Sequence, residues 1–146
     1  MNHYTQKSEN EELLLLLHKG NHSCVIKNLG KTRSFSQRGV ADLYHLLNHD
    51  VSFLKGATVA DKIVGKAAAA LMILGGVKTL HAGVISSPAL ELLQDKGIEV
   101  SYEEAVPFIL NRDQTDWCPL EKLCDQEGSP ENVLLRIKTF INKIKN

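Results

Sequence analysis

A chain of 146 residues, 43% of them hydrophobic, has material for one domain with a sizeable core. Its 17 basic residues balance its 17 acidic ones, so no electrostatic footprint for nucleic acid is visible, and the C-terminal Lys138, Lys143 and Lys145 read as a solvated helix face. The three cysteines, Cys24, Cys118 and Cys124, are odd in number and form no disulfide framework, which points to a reducing cytoplasm.

Residues 1–8 are polar and are expected to be disordered. Glu9 to His18 reads as a first helix, ended by Gly20-Asn21. Its run Leu13 to Leu17 follows Glu9, Glu11 and Glu12, lacks the basic flank of a signal sequence, and is far below the roughly 20 residues of a membrane span. No membrane partner is expected. Five consecutive leucines exceed one helical stripe, so this helix is either covered by the domain or part of a contact between copies of the chain. Ser23 to Asn28 and Lys31 to Ser36, separated by Leu29-Gly30, read as a hairpin. Gly39 to Asn48 reads as a helix with Val40, Leu43, Leu46 and Leu47 at helical spacing.

Ala57 to Ala60 is an apolar run short enough for a strand, and the stretch from Asp61 through the alanines to Leu71 then reads as a helix. Asp61 stands where an N-cap would stand. Lys62 would sit at the positive end of the helix dipole, and Gly65 inside a helix costs about 1 kcal/mol relative to alanine. Spacing of four places Asp61, Gly65 and Ala69 on one face with Lys62 and Lys66 beside them; such a face either admits a ligand or lets the helix pack closely on a sheet. Gly75-Gly76 end the helix. Thr79 to Ile85 reads as a buried strand, with His81, Gly83 and Ile85 on one face by alternation. Ser86-Ser87-Pro88 opens another helix with a serine cap and proline at its first position, and Lys96-Gly97 stops it. Ile98 to Tyr102 is the next strand, residues 105–117 are mixed, and Cys118-Pro119-Leu120-Glu121 begins a short helix. The last helix, Pro130 to Lys145, carries the stripe Val133, Leu134, Ile137, Phe140, Ile141 and Ile144.

Helix, hairpin, then alternating helix and strand predicts one α/β domain over 1–146: a three-layer α/β/α sandwich around a mixed sheet of about five strands. Ligands of such sheets bind beyond the strand carboxyl ends, where helices begin. That topology brings Asp61-Lys62 and Ser86-Ser87 together.

The order of elements resembles the cytidine deaminase fold, and Thr79 to Leu92 is similar to the deaminase strand that runs into its proline-cysteine helix. Zinc deaminases carry P-C-x-x-C on that helix and H-x-E on an earlier one. Here Pro88 is kept, whereas Ala89 and Leu92 stand where the thiolates would be, and the earlier helix supplies neither histidine nor glutamate. The resemblance therefore implies a deaminase-like fold without a zinc site. More closely, the chain resembles the family of domain of unknown function 1893. The residues that carry this are Asp61, Lys62, Gly65, Lys66 and Ala67 to Ala69, then Ser86, Pro88, Ala89 and Leu90, then Asn111-Arg112, then Cys118, Pro119 and Glu121. That resemblance implies no assigned reaction.

Several side chains remain as candidates for chemistry. Cys118, ahead of Pro119 and Glu121, stands at a helix N-terminus that favours a thiolate, while Glu121 beside it acts in the opposite direction or as a base. With Asp61 and Glu121 it makes the candidate catalytic set. Asp61, Lys62, Lys66, Ser86, Ser87 and Arg112 make the candidate binding set, whose residue types suit a small anionic or nucleotide-like ligand. His81 reads as structural, His45 and His49 share a helix face without a third ligand, and Cys24 reads as packing. No metal and no cofactor are expected. Three functions stay open: a ligand-binding protein on a deaminase-like fold without zinc, a metal-free enzyme using Cys118 or Asp61, and an interaction module using the leucine-rich first helix.

Overall fold

The computed structural model describes residues 3–37 and 40–145, with side chains over 11–37 and 40–143. Sheet formation begins at the hairpin. Strands β1 (Cys24–Asn28) and β2 (Lys31–Phe35) pair antiparallel across Leu29-Gly30, whose positive φ angles of 53° and 73° are those of a tight turn matched to the strand twist. Strand β3 (Thr58–Val64) lies antiparallel on the free side of β1. Strands β4 (Thr79–Ser86) and β5 (Glu99–Val106) follow in parallel, giving a mixed five-stranded sheet in the order β2-β1-β3-β4-β5.

The helices are α1 (His3–Lys19), α2 (Ala41–His49), α3 (Val51–Leu54), α4 (Lys66–Gly75), α5 (Ser87–Asp95), α6 (Pro119–Cys124) and α7 (Pro130–Lys145). Alternation along the strands sorts them onto two faces. Cys24, Ile26, Val59 and Leu80 join the large core with α2 to α7. Val25 and Ala60 point the other way, into a small core with Leu13 and Leu17 of α1. Helix α4 lies at the centre of the large core and touches α2, α3, α5, α6 and α7. Its residues Ala67 to Met72 are all buried, and the four alanines let that many neighbours approach. No helix among the described residues is long and apolar enough to cross a membrane.

Several boundaries differ from the sequence expectation. Strand β3 continues through Asp61 and Lys62 to Val64, so Asp61 pairs with Cys24 and Ala82 inside the sheet and is not a helix cap. The ladder from Ile63 and Val64 to Val84 and Ile85 outweighs the local helix signal. Helix α4 starts at Lys66, and Asp61, Gly65 and Ala69 share no helical face. Alternation also fails in β4, since Ile85 packs in the large core with Leu80 and Ala82. The pairings skip Lys62 opposite Gly83 and Gly83 opposite Glu103, and the side-chain parity of β4 slips across that gap. A Cβ on Gly83 would stand 2.6 Å from the Lys62 carbonyl oxygen, which fixes glycine at that position. Helix α1 includes His3 onward, within the stretch expected to be disordered, and β5 runs on to Val106. Gly39 and the Ile144 side chain lie outside the described residues.

Candidate functional site

Helix α4 has no cap of its own. Gly65 is its N-cap, in an extended conformation (φ −101°, ψ −178°), with no side chain to accept the free N–H groups of the first turn. A carboxylate from elsewhere does so. Glu121 of α6, 55 residues on, accepts from Lys66 N at 2.5 Å through Oε1, and from Ala67 N at 3.3 Å through Oε2. The carboxylate fills the space a Cβ on Gly65 would occupy, its Oε1 lying 2.3 Å from that position. Burial pushes the Glu121 carboxyl above the usual range, opposed by those two N–H groups and by the Lys66 ammonium. Lys66 Nζ in turn donates to the Asp125 carbonyl at 3.0 Å, at the end of α6. Glycine 65, lysine 66 and glutamate 121 thus form one contact.

The next parallel strand ends in a conventional cap. Ser86, buried, accepts from Ala89 N at 3.3 Å through Oγ, with Pro88 in the first turn of α5. Ser87 is exposed, and its hydroxyl donates to the Val106 carbonyl at 3.3 Å. Both serines therefore have local partners.

Over these two helix starts runs the connection from β5 to α6. Phe108 and Trp117 stack with centroids 4.7 Å apart and planes 19° off parallel. Leu110 and Trp117 form a β-bridge, and Cys118 N donates to the Ile109 carbonyl at 2.8 Å. Asn111 shapes the turn between them: its N donates to the Asp116 carbonyl and its Oδ1 accepts from Thr115 N. Arg112 stands exposed on that turn, outside the cleft. The cleft itself is lined by Lys66, Ser86, Pro88, Phe108, Trp117 and Glu121, and its free volume is about 10 Å³, room for one water.

The other candidates lie apart. Asp61 is buried; its Oδ1 accepts from Ile63 N at 3.3 Å, and the thiol of Cys24, its partner across the ladder, hydrogen-bonds to its side chain. Burial drives its carboxyl up to about 7. The same burial, with the Asp61 and Asp42 charges, holds the Cys24 thiol well above its ordinary value. Neither Asp61 nor the half-buried Lys62 lines the cleft, so the expected meeting of Asp61-Lys62 with Ser86-Ser87 does not occur. Cys118 caps α6 half-buried, with no hydrogen bond from its side chain to the helix, and it too is outside the cleft lining. Cys124 is buried and pushed up to about 12, first by burial and then by the Glu121 charge. His45 and His49 are exposed, their rings 4.7 Å apart. Among the described residues no three His, Cys, Asp or Glu side chains are grouped to hold a metal ion.

Sequence reasoning missed two things: the reach of Glu121 to α4, and the pair of Asp61 with Cys24. For the first a signal existed, because an uncapped G-K-A-A-A helix start needs an outside acceptor. For the second there was none without the strand register.

A family model described as "Domain of unknown function (DUF1893)" matches residues 12–141. The crystal structure of a DUF1893 family protein (TM1506) from Thermotoga maritima is similar, with a TM-score of 0.84 and 31% sequence identity, covering 91% of this chain and 90% of that one. No curated protein matches the chain.

Proposed function

The chain belongs to the DUF1893 family, and from that membership and the geometry of its cleft we propose that it is a binding protein on a cytidine deaminase-like, three-layer scaffold. The antiparallel β1–β3 pair, the parallel β3–β4–β5 run and the helices on both faces support that scaffold. Ala89 and Leu92 offer no metal-binding atom at the positions that the resemblance gives to thiolates, which argues against zinc-dependent hydrolysis.

The ligand in this reading is small and anionic or nucleotide-like, and one observation carries it. The start of α4 beside Lys66 already holds an anion, the chain's own Glu121 carboxylate. A phosphate or carboxylate taking the place of Glu121 meets the same two N–H groups and the same ammonium. Ser86 borders the cleft, and the Phe108–Trp117 pair presents an aromatic surface to a base. With room for one water, the cleft admits such a ligand only when the connection over 107–118 lifts, a movement that also carries Arg112.

Trp117 is the single tryptophan, so its fluorescence reports on the cleft. Adenosine monophosphate and inorganic pyrophosphate are the probes. A saturable change in emission is expected, with stabilisation of about 2.7 kcal/mol at a hundredfold excess over the dissociation constant. Glu121→Gln, which removes the competing charge, should tighten pyrophosphate binding. If neither probe alters fluorescence or melting in wild type and in Glu121→Gln, the cleft is a helix cap and nothing more.

A second reading rests on α1, where Leu15 and Leu16 are 60% and 40% exposed next to the buried Leu13 and Leu17. In that reading the exposed pair docks a second copy or a partner.

A further inference from the structure

On the sheet face opposite the cleft, α1 packs against β1 and β3. This leaves β4 and β5 bare beside it, and Gly83 contributes no side chain there. The result is a groove of about 130 Å³ between α1 and the β4–β5 pair. An engineered apolar cavity of about 150 Å³ takes up benzene, so this groove has the size of one six-membered ring. Leu14 and Leu17 give it an apolar wall.

The opposite side is polar. His81 and Ser101 face each other across the β4–β5 ladder, and His81 Nδ1 hydrogen-bonds to Ser101 Oγ. His81 Nε2 is buried and has no hydrogen-bond partner. That nitrogen is closed off from the groove, so His81 borders the site with its ring and not with an acceptor. Burial keeps the imidazole neutral, opposed by the Glu99 carboxylate. Glu103 also lines the groove, the Glu99 charge acts on His81, and neither carboxylate forms an ion pair among the described residues.

An apolar wall, a ring-sized volume and a carboxylate outside any ion pair among the described residues fit one class of molecule. We propose that this groove binds a small organic cation, a primary amine bearing one apolar ring. The ring lies on Leu14 and Leu17, and the ammonium pairs with the Glu103 carboxylate. His18 lines the same groove. Nothing in this site depends on the cleft at α4.

Benzylamine is the probe, titrated into the whole isotopically labelled chain at pH 7.5, with benzoate and benzyl alcohol as charge-reversed and neutral controls. Benzylamine is expected to shift the Gly83 and Ser101 amides and the His81 ring nitrogens saturably, with a millimolar or lower dissociation constant. Glu103 is exposed, so Glu103→Gln should leave the fold intact while weakening benzylamine about tenfold and sparing benzyl alcohol. Equal binding of benzoate, equal affinity in Glu103→Gln, shifts confined to residues around Trp117, or no saturation in the millimolar range would each overturn the assignment.

Discussion

Replacing Gly65 by alanine puts a methyl group where the Glu121 carboxylate now lies, with Oε1 at 2.3 Å and Oε2 at 2.6 Å. The backbone is not at issue, because φ of −101° suits alanine. The carboxylate is the movable end of a side chain, so it is displaced, and the N–H groups of Lys66 and Ala67 lose their acceptor. A hydrogen bond to a charged group is worth about 1.5–3 kcal/mol, a value that already overlaps the roughly 1 kcal/mol of a lost cap. Alanine recovers about 0.4–1 kcal/mol by restricting the unfolded chain. The net destabilisation is about 2 kcal/mol, a fall of about 4–8 °C in Tm for a chain of this size. Glu121→Ala should cost a similar amount. In the Glu121→Ala background the clash is gone, so Gly65→Ala should be neutral or stabilising by about 0.5 kcal/mol. Urea unfolding of the four species therefore gives a coupling of about 2 kcal/mol. Additivity within about 0.5 kcal/mol would refute the contact as described.

Asp61, whose carboxyl is raised to about 7 from 3.8, favours the folded state in its protonated form. Stability is fully present below the unfolded value and falls as pH rises through the window, by about 2–3 kcal/mol between pH 5 and 8. Urea unfolding across that range should show this slope, with Glu121 adding to it in the same direction, and Asp61→Asn should flatten it. Leu17, 1% exposed, should cost about 2–5 kcal/mol on replacement by alanine, whereas Leu15→Ser should stay within about 0.5 kcal/mol. If sedimentation shows association in wild type that Leu15→Ser abolishes, α1 is a contact surface; an unchanged mass excludes Leu15. Alkylation of the folded protein should modify Cys118 alone, because Cys24 and Cys124 are buried with raised thiols. Fast loss of a second thiol would contradict that burial.

Where local chemistry decides an element, the sequence was legible. Leu29-Gly30 marked the hairpin, Ser86 with Pro88 the start of α5, and Cys118-Pro119 the start of α6. The stripe on α7 marked that helix over its whole observed length. Elements decided by distant partners were not. Asp61-Lys62-Ile63-Val64 looks like a helix start until the pairing of Ile63 and Val64 with β4 is known. The slip at Gly83 depends on backbone contacts with β3, which no alternation rule contains. The site was half legible for the same reason. Lys66, Ser86 and Glu121 do meet, while Asp61, read as a neighbour of the lysines on a helix, is carried by the strand into the core.

The bond between Glu121 and the start of α4 also constrains how such sequences can drift. A carboxylate that occupies a missing Cβ makes positions 65 and 121 a single unit of inheritance. A lineage that first shortens residue 121 loses a cap, yet it gains a free choice at 65, where serine or aspartate can then supply one. A lineage that first departs from glycine meets the clash at once, with its glutamate still in place. The route is therefore ordered in time, and chains with a side chain at 65 should be those that have already given up glutamate at 121.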